Sequence, residues 1–346
     1  MYDSEMIFAL VHLGSKLPNH LIANCRYLEA NFSEISTTVV VDNVKNCKKL
    51  SKNGINYYLV DSDQLDNDRL LKGHYSNFRN GFWRLTVERF LALEDFHKKH
   101  PEAGLLHIEN DVLLLPEFSP SDFSQTSKIN WLSYTEDSDS AAIFYSPTYS
   151  QTLTFSVKLK EILNNNPGIT DMRALNEIRK VHPEDYEVLP SLENEQVLGN
   201  EGITKSKIGS KIYDPALLGM WLFGEDPMNH FGVTREHFIR GENTHLPFDL
   251  ITKKNMLILK QGTREFSVAN LHLHVKDKRY FSVNWTVLAI RSIYDASSGR
   301  HRRKYFPKVT LRVLGDYRRR GKLHSLLLLI PPVRKINNAR KNATSW

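Results

Sequence analysis

Leu105-Leu106-His107-Ile108-Glu109-Asn110-Asp111 is a short apolar run that closes on two acids separated by one residue. A run of this length bounded by polar residues reads as a buried strand. Side chains alternate along a strand, so Glu109 and Asp111 are expected to leave its end on the same side. Immediately upstream, the pattern from about Phe82 to Lys99 reads as a helix, stopped by Pro101. Trp83, Val87, Phe90, Leu91 and Leu93 form its apolar stripe, and Arg84, Glu88 and Arg89 its charged flank. Val112 to Leu115 leads away from the acids, and Pro116 ends that segment.

Further outward, short apolar runs alternate with helical periodicity. Met6 to Leu13, Thr37 to Val41 and Asn56 to Val60 read as strands, and Pro18 to Phe32 and Val44 to Asn53 as the helices between them. That alternation predicts parallel strands joined by crossover helices, a nucleotide-binding half of Rossmann type. Ligands of such sheets sit beyond the carboxyl ends of the strands, which puts His12 to Gly14, Asp42 and Asp61 on the functional edge. Downstream, Trp131 to Tyr134, Ala141 to Tyr145, Lys211 to Tyr213, Met256 to Leu259 and Phe266 to Val275 read as strands. Tyr149 to Leu163, Asp171 to Val181 and Leu217 to Leu222 read as helices, with Thr170 or Asp171 capping the second of these. The fold class expected is α/β, with a mixed, mostly parallel central sheet. Residues 1–299 form one catalytic unit, divided into a nucleotide half (1–115) and an acceptor half (116–299), followed by a basic extension (300–346).

The 346 residues are 41% apolar and 25% charged, an ordinary globular composition. Cys25 and Cys47 stand in no Cys-x-x-Cys arrangement and read as small buried hydrophobes. No run of about 18 apolar residues appears and the first residues lack a cationic start, so the expected compartment is cytoplasmic. Residues 300–346 hold 14 Lys and Arg against the single acid Asp316, whereas the preceding residues hold 32 against 38 acids. A tail of that charge, carrying Leu326 to Ile330, suits either peripheral attachment to an anionic inner membrane leaflet or a solvated extension. It lacks a nucleic-acid-binding signature and the body is acidic, so no nucleic-acid partner is expected.

Hard divalent cations favour carboxylate oxygens, which makes Glu109 and Asp111 candidate ligands. Late in the chain, Asn270-Leu271-His272-Leu273-His274-Val275-Lys276 puts two imidazoles and a lysine on one strand face. Imidazoles complete metal shells, and an ammonium suits phosphate. A His-x-His strand also occurs in metal-dependent hydrolases, but a lysine at the next matching position repels a metal. Between these segments, Tyr213-Asp214-Pro215 to Glu225-Asp226-Pro227 combines acids, glycines and Trp221. An aromatic face beside carboxylates is what a sugar acceptor pocket uses. Glu225 and Asp226 are the candidate bases for its hydroxyl proton, and the alternative is a helix capped by Asp214 followed by a turn.

The stretch Gly81-Phe82-Trp83-Arg84-Leu85-Thr86-Val87-Glu88-Arg89-Phe90, followed by Leu105 to Val112, resembles the helix and DxD strand of GT-A glycosyltransferases, particularly bacterial polysaccharide enzymes. Here the first acid is Glu rather than Asp. The resemblance implies a nucleotide-sugar donor, UDP-linked, whose diphosphate departs against Mn²⁺ or Mg²⁺. It implies Asp111 as the principal metal ligand, with Glu109 beside it and either histidine, His272 or His274, as a further ligand. The donor contacts it implies are His12, Gly14, Asp42, Arg84, Glu109 and Lys276. The acceptor implied is a saccharide or lipid-linked saccharide, in surface polysaccharide or glycan synthesis.

Overall fold

The computed structural model describes residues 6–14, 16–61, 65, 82–123, 126–166, 168–191, 211–223, 249–253, 256–261, 263–274, 276 and 278–281. Glu225, Asp226 and the basic extension lie outside the described residues. Strands β1 (Met6–His12), β2 (Ser36–Val41), β3 (Tyr57–Leu59) and β4 (Gly104–Ile108) are mutually parallel, in the order β3-β2-β1-β4. Helices α1 (Asn19–Asn31), α2 (Val44–Lys52) and α3 (Phe82–His97) lie between them in sequence. The sheet continues through β7 (Ser138–Ser146), β6 (Ile129–Thr135) and β8 (Tyr186–Leu189) to seven strands, of which β7 alone is antiparallel to its neighbours. The chain thus has the expected α/β class, with a mixed, mostly parallel sheet and a Rossmann-like first half.

Two cores flank this sheet. Ile7, Ala9 and Val11 enter one, with Phe90 and Leu93 of α3, while Phe8 and Leu10 enter the other, with Leu21 and Leu28 of α1. This is the period-two alternation of a central strand buried on both faces, and it explains why β1 reads as an unbroken apolar run. Each large apolar side chain so buried contributes about 1.5–3 kcal/mol. Helix α2 starts at Asn43, whose side chain accepts from Asn46 N at 3.0 Å, and α5 (Asp171–Val181) starts at Thr170, whose hydroxyl accepts from Arg173 N. The helix between β7 and α5 is α4 (Tyr149–Asn165).

Three short strands escape the sequence pattern. Tyr186–Leu189 is one, and β5 (Val112–Leu114) and β10 (Asp249–Lys253) are the others. The single strand expected over Phe266 to Val275 is instead two, β12 (Arg264–Val268) and β13 (Asn270–His272). At the break, Ala269 N donates to Ile212 O and Ala269 O accepts from Leu115 N, both at 2.8 Å. The chain changes partners there. β12 lies in a small sheet with β11 (Met256–Gln261), β10 and β9 (Lys211–Ile212), whereas β13 pairs with β5.

Candidate functional site

Glu109 and Asp111 are not on a strand. β4 ends at Ile108, and Val112 N donates to Glu109 O at 3.0 Å, so Glu109-Asn110-Asp111 is a turn between β4 and β5. Alternation along a strand therefore does not account for their convergence. The turn is pinned from three sides. Asn24 of α1 donates to Asn110 O and Val112 O at 3.2 and 2.9 Å, and Asn110 donates to Val11 O at 3.1 Å. From the far end of the sequence, β13 runs antiparallel to β5 with His272 opposite Val112, and Leu273 N donates to Asp111 O at 2.6 Å.

That register brings late residues onto the acids. His272 Nε2 lies 3.3 Å from both Glu109 Oε2 and Asp111 Oδ1, and Lys276 Nζ lies 3.4 Å from Asp111 Oδ2. From α3, Arg89 pairs with Glu109 and, at 2.8 Å, with Asp171 Oδ2. Burial opposes ionisation of both acids in the turn. Arg89 outweighs it for Glu109, holding that carboxyl below its usual value, and Lys276 and His272 hold Asp111 well below. Burial likewise works against a charged His272, but Asp111 and Glu109 raise its imidazole to about 9. At Asp171 burial wins, and its carboxyl is raised.

His272 Nδ1 donates to Pro215 O, which directs Nε2 toward the acids. One oxygen from each of Glu109 and Asp111 and one nitrogen of His272 lie within 4.8 Å of one another. Two carboxylates and an imidazole suit a hard to borderline divalent cation. His274 is not in this group: its N donates to His272 O at 3.1 Å in a turn past the strand, and its ring stacks on that of His272 at 4.1 Å. Burial, then the neighbouring His272, drives the His274 imidazole well below its ordinary value. Lys276 follows with φ of +53°, a left-handed conformation uncommon for a residue with a side chain.

These groups line a cavity of about 530 Å³ that also includes His12, Lys16 and Trp83. Among the described residues, six buried polar atoms on residues lining it have no hydrogen-bond partner: His12 Nε2, Arg89 Nε, His107 Nε2, Asn110 Oδ1, Asp171 Oδ1 and His274 Nε2. Buried polar groups are normally satisfied, so such a concentration points to a polar ligand. Burial, then Arg89, lowers the His107 imidazole to about 4, leaving it neutral.

Other expected site residues are placed differently. Asp42 Oδ2 accepts from Gly14 N at 2.8 Å, and Gly14 O accepts from Asn43 and Asn46, which holds Gly14 at φ +108°. Gly14 and Asp42 thus shape the loop after β1 and do not line the cavity. Arg84 does not line it either, and pairs with Glu88 at 3.3 Å. The arginine that does is Arg89, about 140° farther round the helix at 100° per residue. Phe82, Leu85, Thr86 and Arg89 share the cavity face, a spacing visible in the sequence once the buried face is known. Asp171, read from the sequence as a cap, is the first residue of α5 and faces the cavity. Asp61 lines a separate cavity of about 370 Å³ with Tyr58, Asp95, Lys98 and Lys99.

No protein-family model matches the chain, and no curated protein does. Among solved structures it is similar to the galactosyltransferase LgtC, at 9% identity over 59% of this chain and 83% of that one, with a TM-score of 0.40. It is similar to the glycosyltransferase GlyE of Streptococcus pneumoniae TIGR4, at 10% identity over 54% of this chain and 45% of that one, with a TM-score of 0.36. It spans less than half of GlyE. An inositol-1-phosphate CTP transferase from T. maritima is similar at 11% identity over 54% of this chain and 86% of that one, with a TM-score of 0.32. At such scores the likenesses decide nothing about chemistry.

Proposed function

We propose that this chain is a GT-A-type glycosyltransferase that moves a sugar from a UDP-linked donor to a saccharide or lipid-linked saccharide acceptor, with Mn²⁺ or Mg²⁺. One observation carries the reading. Two carboxylates, an imidazole and a lysine meet at the carboxyl edge of a Rossmann-like sheet, inside a cavity whose buried polar atoms include several without partners. A cavity of about 530 Å³ matches the size of small-ligand sites. Its mixed charge suits a ligand that is anionic at one end and rich in hydroxyls at the other.

In this reading Asp111, Glu109 and His272 hold the cation, which would neutralise the diphosphate as the sugar–phosphate bond breaks. Arg89 orients Glu109 through their ion pair and keeps it ionised. Lys276, exposed at the rim and 3.4 Å from Asp111, offers its ammonium to a phosphate oxygen. Asp171 faces the cavity and would accept a hydrogen bond from a sugar hydroxyl. Glu225 and Asp226 remain the candidate bases for the acceptor hydroxyl, and peripheral membrane attachment through residues 300–346 is proposed on charge alone. Among the described residues, no helix is long and apolar enough to cross a membrane.

The hydrolase reading, which needs both imidazoles of the His-x-His strand on one metal, is less well supported, because His274 stands outside the ligand group. A thermal-shift panel of nucleotides and nucleotide sugars, with and without Mn²⁺, tests the proposal. A ligand at 100 times its Kd stabilises by about 2.7 kcal/mol, an easily measured rise in melting temperature. UDP-sugars with Mn²⁺ are expected to give the largest rise. No rise with any nucleotide in either condition overturns the proposal.

A further inference from the structure

Asp214 lies outside the ligand group, yet it is completely buried. Its carboxylate is instead held by four backbone N–H groups. Oδ1 accepts from Ala216 N and Leu218 N at 3.1 and 3.0 Å, and Oδ2 accepts from Gly219 N and His272 N at 2.7 and 3.0 Å. Ala216 immediately precedes helix α6 (Leu217–Phe223), Leu218 and Gly219 lie in its first turn, and His272 belongs to β13. One side chain therefore staples a helix start to the strand that carries the metal-facing histidine.

Three further contacts make the staple rigid. Asp214 and Asn270 exchange hydrogen bonds: Asp214 N donates to Asn270 Oδ1 at 3.0 Å, and Asn270 Nδ2 donates to Asp214 O at 2.9 Å. Pro215 O, next in sequence, takes the Nδ1 proton of His272. Gly219 packs so closely that a Cβ there would lie 1.9 Å from His272 O. His272 is thus gripped at its N–H, its carbonyl and its ring by residues 214–219, and only Nε2 is left to face Glu109 and Asp111.

A helix cap alone needs an acceptor for its own first turn and nothing from a distant strand. Here the carboxylate spends one bond on a strand 58 residues away, and the cap geometry aims a ring. We propose that Asp214 is the positioning residue for the metal ligand His272, coupling the start of α6 to the cation site. This rests on the metal reading above. Asp214 stands outside the ligand group and does not line the cavity, and it acts through the strand and the Pro215 carbonyl.

The test is Mn²⁺ titration of the full chain by calorimetry, with far-ultraviolet circular dichroism and melting on the same samples. Asp214→Asn keeps the shape but replaces one acceptor oxygen by a donor facing N–H groups, and is expected to weaken Mn²⁺ binding at least tenfold. Gly219→Ala leaves the carboxylate in place and pushes on His272 O, and is expected to weaken binding similarly if Asp214→Asn fails to fold. His97→Leu serves as the structural control: His97 bonds Thr152 Oγ1 and Ala103 O at 2.7 and 2.8 Å, away from the cavity, and its loss should lower the melting temperature with unchanged Mn²⁺ affinity. Wild-type Mn²⁺ affinity in a folded variant at either position overturns the positioning role. Absence of Mn²⁺ binding by the wild-type chain overturns the metal reading beneath it.

Discussion

Asp139 and Asp111 are both buried carboxylates, and they are held in opposite ways. Asp139 is saturated. It accepts from Trp131 Nε1 at 2.9 Å, Arg179 Nε and NH2 at 2.7 and 3.0 Å, and Asn176 Nδ2 at 3.2 Å. Asp111 has its charged neighbours at longer range, His272 at 3.3 Å and Lys276 at 3.4 Å, with Glu109 crowding the same space. A carboxylate with every lone pair answered fixes α5 to the sheet and does nothing else. One ringed by charges at arm's length can exchange them for a cation.

The sharpest way to break this contrast is to remove each acid. Asp111→Ala is expected to lower sugar transfer by at least about 10³-fold, the scale of losing a key charge-stabilising group. Its melting temperature should fall by less than that of Asp139→Ala, because Glu109 remains beside His272. Assay and melt together decide it, and a destabilised but active variant would place Asp111 with Asp139. Asp139→Ala should do the reverse and cost about 3 kcal/mol in a denaturant titration, leaving Arg179 without its partner. Mn²⁺ affinity should stay unchanged.

A finer division separates the two stacked imidazoles. His272→Ala should weaken Mn²⁺ binding about 10- to 100-fold, whereas His274→Ala should change it by less than about threefold, since only His272 lies in the ligand group. Equal losses in calorimetry would put both in the shell.

Acidity provides a smaller but directional effect. His272 is raised from 6.5 to about 9, so it binds its proton more tightly folded than unfolded. Its contribution to the stability of the metal-free protein is therefore full below pH 6.5 and disappears as pH rises through about 9. Melts across that window should show the decline in the wild type and its absence in His272→Ala. The smallest change is expected from Arg84→Ala, which removes one i,i+4 pair between a partly exposed arginine and the buried Glu88 and should cost about 0.5 kcal/mol with no loss of donor binding. A marked loss of nucleotide affinity would return Arg84 to the site.

The same contrast separates what could be read from the chain and what could not. β1, β2, α1, α2, α3, α4 and α5 announce themselves because their burial is periodic over neighbouring residues, and Asp171 to Val181 was legible to the residue. Glu109, Asp111, His272 and Lys276 were visible as candidate chemistry, through residue type and spacing. Their meeting was not visible, because it depends on pairing between β5 and β13, each three residues long and about 160 positions apart. No local pattern marks so short a strand. Arg89 was passed over for Arg84 because a helix's charged flank does not say which of its members is buried.

Composition and periodicity alone therefore determined the α/β class, the order of the first strands and helices, and the acid pair closing β4. Those properties reside in neighbouring residues, where the alternation of strands and the 3.6-residue repeat leave a record. Tertiary structure decided that the acids sit in a turn, that His272 faces them while His274 turns aside, and that Asp214 grips the strand between. Such relations are made by register and close approach between segments that share no local signal, and the chain acquires them only when it packs.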